Sequence, residues 1–131
     1  MFNKKKQPPI KSLIAQDSQI DGNLGFSQGL RIDGIVNGNV VGNSEVPSIL
    51  VISETATVTG ELHADHIIIN GTVHGPVHAR RMLELQPKAR IHGDINYTAL
   101  EMHQGALIAG LLCPQIEGEE KPTLKLAANN A

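Results

Sequence analysis

Six histidines are the side chains of this sequence with the widest chemistry: His63, His66, His74, His78, His92 and His103. An imidazole titrates near neutrality, shuttles protons and is the commonest protein ligand to transition metals. What these six can do depends on which of them meet. His74 and His92 each precede a glycine, in Val73-His-Gly75 and Ile91-His-Gly93. If successive segments stack as parallel strands, the two share one outward slot at a separation of ~5 Å, flanked by Thr59 and Ala109. That distance would let them share a metal ion or a proton, so His74 and His92 are the pair to weigh as metal ligands, although no metal site is expected. The plainer reading makes them exposed polar residues on the outside of a strand. His63 and His78 share a second slot, continued by Asn96 and Cys113. His74 and His78 lie ~13 Å apart along one extended strand, so all four cannot meet at one ion.

No enzymatic signature accompanies the histidines. The chain has no Gly-x-x-x-x-Gly-Lys-Ser/Thr loop, no Gly-x-Ser-x-Gly elbow and no Cys-x-x-Cys or His-Glu-x-x-His pattern. Neither a cofactor nor nucleotide hydrolysis is therefore expected. A left-handed solenoid fold does host acyltransferases with a histidine on the coil surface, but those advance in strict hexapeptides. Here apolar residues recur at spacings of two within strands and four at one corner.

Placing the histidines falls to a repeat. In Ala56-Thr-Val-Thr-Gly-Glu-Leu62, Gly71-Thr-Val-His-Gly-Pro-Val77, Ala89-Arg-Ile-His-Gly-Asp-Ile95 and Ala106-Leu-Ile-Ala-Gly-Leu-Leu112, apolar residues alternate around a glycine. Anchoring six copies at Ile14, Ile32, Ile52, Ile69, Leu85 and Met102 gives steps of 18, 20, 17, 16 and 17 residues. Alternation is a strand signal, and no window carries a helical stripe. Strands this close in sequence, without crossover helices, run parallel only if the chain winds as a spring. The expectation is an all-β, single-domain parallel β-helix, a β-solenoid of about six coils. With no Trp, one Tyr and two Phe, its interior is filled by Ile, Val, Leu and Ala. The longest step contains Asn43-Ser-Glu-Val-Pro-Ser48, read as a protruding corner, and Arg80-Arg-Met82 carries one residue more than the corner at Asp65-His66, read as a bulge.

The body is expected over residues 14–112, between a flexible basic tail at 1–13 and a flexible tail at 113–131. Gln7-Pro-Pro9 blocks regular structure near one end, and the polar stretch after Leu112 buries little at the other. Lys4, Lys5, Lys6 and Lys11 leave the rest of the chain net acidic, which argues against nucleic acid as a partner. The single cysteine, Cys113, suits a reducing compartment, and neither a membrane-spanning run nor a secretory h-region is present. A cytoplasmic protein is expected.

A solenoid ends in unpaired backbone groups and an open slice of core. Neither tail supplies a cap by sequence, although Leu124 and Leu126 are candidates for folding back. The first coil offers Ile14, Ile20, Leu24 and Phe26, and the last offers Leu100, Met102, Ile108, Leu111 and Leu112. Another copy of the chain satisfies both ends, and a contact at each end propagates into a filament. These nine residues are the candidate polymerisation interface. The competing reading is a monomeric solenoid that presents its outer face to a partner protein.

Residues from about Leu13 to Leu112 resemble the bactofilins, bacterial polymer-forming cytoskeletal proteins. The resemblance rests on Gln19-Ile-Asp-Gly-Asn-Leu24, Gly29-Leu-Arg-Ile-Asp-Gly34 leading into Val36-Asn-Gly-Asn-Val40, the Val77-His-Ala-Arg-Arg81 corner, Ala89-Arg-Ile-His-Gly-Asp-Ile95, Leu100-Glu-Met102 and Gly105-Ala-Leu-Ile-Ala-Gly110. It implies a right-handed β-helix and nucleotide-free, end-to-end polymerisation. Roles in cell shape, division, motility or the placing of other, unnamed proteins are implied with it. It further implies that Met1, Phe2, Lys4, Lys5 and Lys6 contact the inner face of the cytoplasmic membrane. The enlarged corner at Asn43–Ser48 departs from the family pattern and bears on the regularity of the third coil.

Overall fold

The computed structural model describes residues 8–115, and these form a parallel β-solenoid of six coils. Coil one consists of β1 (Ile10–Ile14), β2 (Gln19–Asp21) and β3 (Leu24–Phe26), and coil two of β4 (Gln28–Ile32), β5 (Ile35–Asn37) and β6 (Val40–Gly42). Then follow β7 (Ser48–Ile52), β8 (Thr57–Thr59), β9 (Leu62–Ile69), β10 (Thr72–His74), β11 (Val77–Leu85), β12 (Arg90–His92), β13 (Ile95–Met102), β14 (Leu107–Ala109) and β15 (Leu112–Pro114). The long strands β9, β11 and β13 each turn a corner, closing one coil and opening the next. Every ladder is parallel.

The six anchors of the repeat stack in one column, Ile14 on Ile32, Ile52, Ile69, Leu85 and Met102. A second column runs Ile20, Val36, Val58, Val73, Ile91, Ile108, and a third Leu24, Val40, Leu62, Val77, Ile95, Leu112. In the four inner coils these side chains are almost fully buried. Stacking like on like keeps each layer the same width, so β-branched Ile and Val with Leu suffice where a globular core would use aromatics.

One glycine per coil fixes how closely the coils approach. A Cβ on Gly60 would lie 2.1 Å from the carbonyl oxygen of Gly38, and one on Gly75 would lie 2.2 Å from that of Gly60. Gly38, Gly93 and Gly110 repeat the contact with the coil before. Gly60 also sits at φ +150°, where L side chains are rarely found.

The corner loop is narrower than expected. Asn43 to Pro47 are exposed, but Ser48 is buried and begins β7. Its backbone N–H donates to Asp65 Oδ2, and its hydroxyl accepts from the Asp65 N–H, both at 3.0 Å. Arg80 Nε then donates to Asp65 Oδ1 at 2.8 Å. This clamp returns the chain to register after the loop, and β7 pairs with β4 without a slip. The bulge falls between Ala79 and Met82 against both neighbouring strands. Among the described residues regular structure starts at Ile10, four residues before the expected start of the body at Ile14, because residues 10–14 add to the edge of β4. At the other end β15 runs to Pro114.

Candidate polymerisation interface

The two end coils are built from the same columns as the interior, but each lacks a neighbour on one side. Strands β1, β2 and β3 pair only with coil two, and β14 and β15 only with coil five, so both ends present free backbone edges among the described residues. The apolar columns open there as well. Met102 and Leu112 are each 46% exposed, whereas Leu85 and Ile95, one coil inward in the same columns, are at 0%. Ile14, Ile20, Leu24 and Phe26 at the first end, and Leu100 and Ile108 at the last, are partly buried against the core from one side.

Leu111 is placed differently from the other eight candidates. The ladder aligns it with Asp94 and Pro76, outside the inward columns, and it is 67% exposed. Tyr97 was missed by sequence reasoning and packs against the core near the last coil. It stands in a column that reads Phe26, Gly42, Ala64, Ala79, Tyr97, Pro114, with large rings near the ends and small residues between. The signal was its position two residues after Ile95, equivalent to Ala79 two after Val77.

Four of the six histidines form two stacked pairs on the outer face. His74 and His92 have ring centroids 4.7 Å apart, and His63 and His78 have theirs 4.3 Å apart. Glu61 Oε1 lies 2.9 Å from His63 Nε2, and this hydrogen bond holds the Glu61 carboxyl below the usual carboxylate range. Burial, with the neighbouring His63 second, lowers the His78 pKa, and burial lowers that of His66. Glu61, His63 and His78 converge, as do Glu84, Glu101 and His103. Among the described residues no third metal-ligating side chain joins His74 and His92. Met1, Phe2, Lys4, Lys5 and Lys6, like Leu124 and Leu126, lie outside the described residues.

A family model described as bactofilin, polymer-forming cytoskeletal, matches residues 12–112. The chain belongs to the bactofilin family. Among solved structures, a cryo-EM reconstruction of Thermus thermophilus bactofilin double helical filaments is similar at 27% identity and a TM-score of 0.56, covering 80% of this chain and 100% of the other. No curated protein matches the sequence. This bactofilin is thus a cytoskeletal, filament-forming protein by family. The part that matches is the solenoid, and both open coils lie within it or at its edge.

Proposed function

We propose that this bactofilin polymerises end to end through its first and last coils, without nucleotide, into filaments that serve as a scaffold. One end contributes Ile14, Ile20, Leu24 and Phe26, and the other contributes Leu100, Met102, Ile108 and Leu112, with Leu111 at the rim. One observation carries the proposal. Among the described residues, columns that are sealed inside the rod are open at both of its ends, and the free strand edges there accept a coil of another copy, head to tail or like to like. Docking a second copy continues both the hydrogen-bond ladder and the core, so one contact satisfies two unmet demands. The Thermus relative, of the same family, forms filaments, which favours this reading over a monomeric adaptor. Negative-stain microscopy of purified protein tests it: filaments are expected, and particles that stay single at physiological salt would refute it.

The scaffold acts at the inner face of the cytoplasmic membrane, through Met1, Phe2, Lys4, Lys5 and Lys6. Each lysine near an anionic leaflet contributes about 1 kcal/mol, and a buried Phe2 adds roughly 1.5–3 kcal/mol. A single tail binds marginally, whereas a filament displaying many tails gains avidity with no new contact. Deleting residues 1–6 is expected to abolish co-sedimentation with anionic liposomes and to spare polymerisation. Undiminished co-sedimentation would remove the tail from the membrane contact.

A further inference from the structure

We propose that Glu61, His63 and His78 form a binding site for a divalent transition-metal cation of the Zn²⁺ type, spanning two adjacent coils on the outer face of the rod. The three donors come from two paired strands. Glu61 immediately precedes β9 and sits two residues from His63, on the same side of the chain, while β11 sets His78 directly beside His63. One ligand atom from each of the three lies within 4.8 Å of the others. A tetrahedral Zn²⁺ with bonds near 2.0–2.2 Å holds its ligands about 3.4 Å apart. Small side-chain rotations close that gap, tilting the stacked rings toward a common ion that takes the place of the Glu61–His63 hydrogen bond.

The donor set is what a borderline cation selects: two imidazole nitrogens and one carboxylate, with the fourth position left to water. The backbone under it is a continuous parallel ladder, so the spacing of the donors is fixed before any ion arrives. A supporting residue is also in place. Asn96, the next residue in the column, has its side-chain Nδ2 3.2 Å from His78 Nδ1, while its Oδ1 accepts from Gln115 Nε2 at 3.2 Å. Metal bound at His78 Nε2 would turn this amide over, so that Asn96 Oδ1 gives up Gln115 and accepts the Nδ1 proton.

The other histidine groups lack one or another of these features. His74 and His92 stack but have no carboxylate or third donor with them among the described residues. In the Glu84–Glu101–His103 group, His103 Nε2 is 3.3 Å from each of two carboxylates, so the group offers one imidazole where the Glu61 group offers two. At Glu61 the one carboxylate pairs with His63. A metal ion would bring all three donors onto a single charge.

The test titrates tag-free, full-length protein with Co²⁺, a spectroscopic stand-in for Zn²⁺, and follows the ligand-field absorption, then displaces it with Zn²⁺. One Co²⁺ per chain is expected in the parent and in His92→Asn, and the band is expected to vanish in His78→Asn. Asn96→Leu is expected to weaken binding by about 10-fold. A band that survives His78→Asn, or a parent that shows none, overturns the proposal. Far-UV circular dichroism reports folding, and should His78→Asn lose its β-signal, Glu61→Gln replaces it with the same two outcomes.

Discussion

Replacing Leu112 by arginine separates the open end from the rest of the rod. Leu112 closes the third apolar column and is 46% exposed, so capping by another coil removes about half of a leucine from water. At about 1.5–3 kcal/mol for a whole side chain, that half is worth roughly 0.7–1.4 kcal/mol per joint. Leu112→Ala forfeits most of this, and the critical concentration for polymerisation should rise about five-fold, at about 1.4 kcal/mol per decade. Leu112→Arg adds an unpaired charge inside the joint, bringing the loss to about 3–5 kcal/mol. That corresponds to a rise of roughly 140- to 3,700-fold. The isolated subunit tolerates the change, because among the described residues no coil lies above Leu112 and the guanidinium reaches water. Leu107→Arg is the control: Leu107 aligns with Arg90 on the outside of the rod and is 59% exposed. Pelleting across a dilution series, with circular dichroism on each variant, measures these values. If Leu112→Arg pellets like the parent while its β-structure is intact, Leu112 is not in the joint and the reasoning fails.

Gly60→Ala should destabilise the fold by about 2–5 kcal/mol, since its methyl group meets the Gly38 carbonyl oxygen at 2.1 Å and the backbone is held at φ +150°. Gly25→Ala, whose nearest neighbour is 4.0 Å away, should change stability by less than about 0.5 kcal/mol. Urea unfolding compares the two, and equal costs would refute the glycine contact as the spacing device. Burial lowers the His66 pKa below its ordinary 6.5, although the charges of Glu84 and Glu101 oppose the shift. The unfolded chain therefore takes up that proton first. The contribution is present above pH 6.5 and is lost as pH falls from there through the folded-state value. His66→Gln should flatten the thermal midpoint between pH 7 and pH 5, in the region of about 6.5 where imidazoles titrate, and an unchanged slope would assign the effect elsewhere.

The coil geometry was legible because a solenoid turns spatial neighbours into sequence periodicity. Ile14, Ile32, Ile52, Ile69, Leu85 and Met102 repeat at intervals that vary only at corners, and their pairing follows the alternation residue by residue. The same register placed His74 beside His92 and His63 beside His78. Other features depend on contacts that the repeat does not encode. Ser48 reads as a loop residue, and its burial follows from the Asp65 and Arg80 clamp, 17 residues and more away. Leu111 is apolar and next to Leu112, yet the alternation sends it outward. Ile10 follows two prolines, so the strand it starts is visible only through its pairing with Gly29. The third member of the Glu61 site escaped because the carboxylate joins through a hydrogen bond along the strand, while the repeat compares positions across coils.

Cryo-EM of assembled filaments would show whether the end coils meet. Six coils at ~4.8 Å give an axial advance of about 29 Å per subunit if the ladder continues across the joint. End-to-end docking gives that advance, unbroken strand spacing between subunits, and Met102 and Leu112 enclosed at the junction. Filaments of subunits packed side by side, with the first and last coils facing solvent, would contradict it.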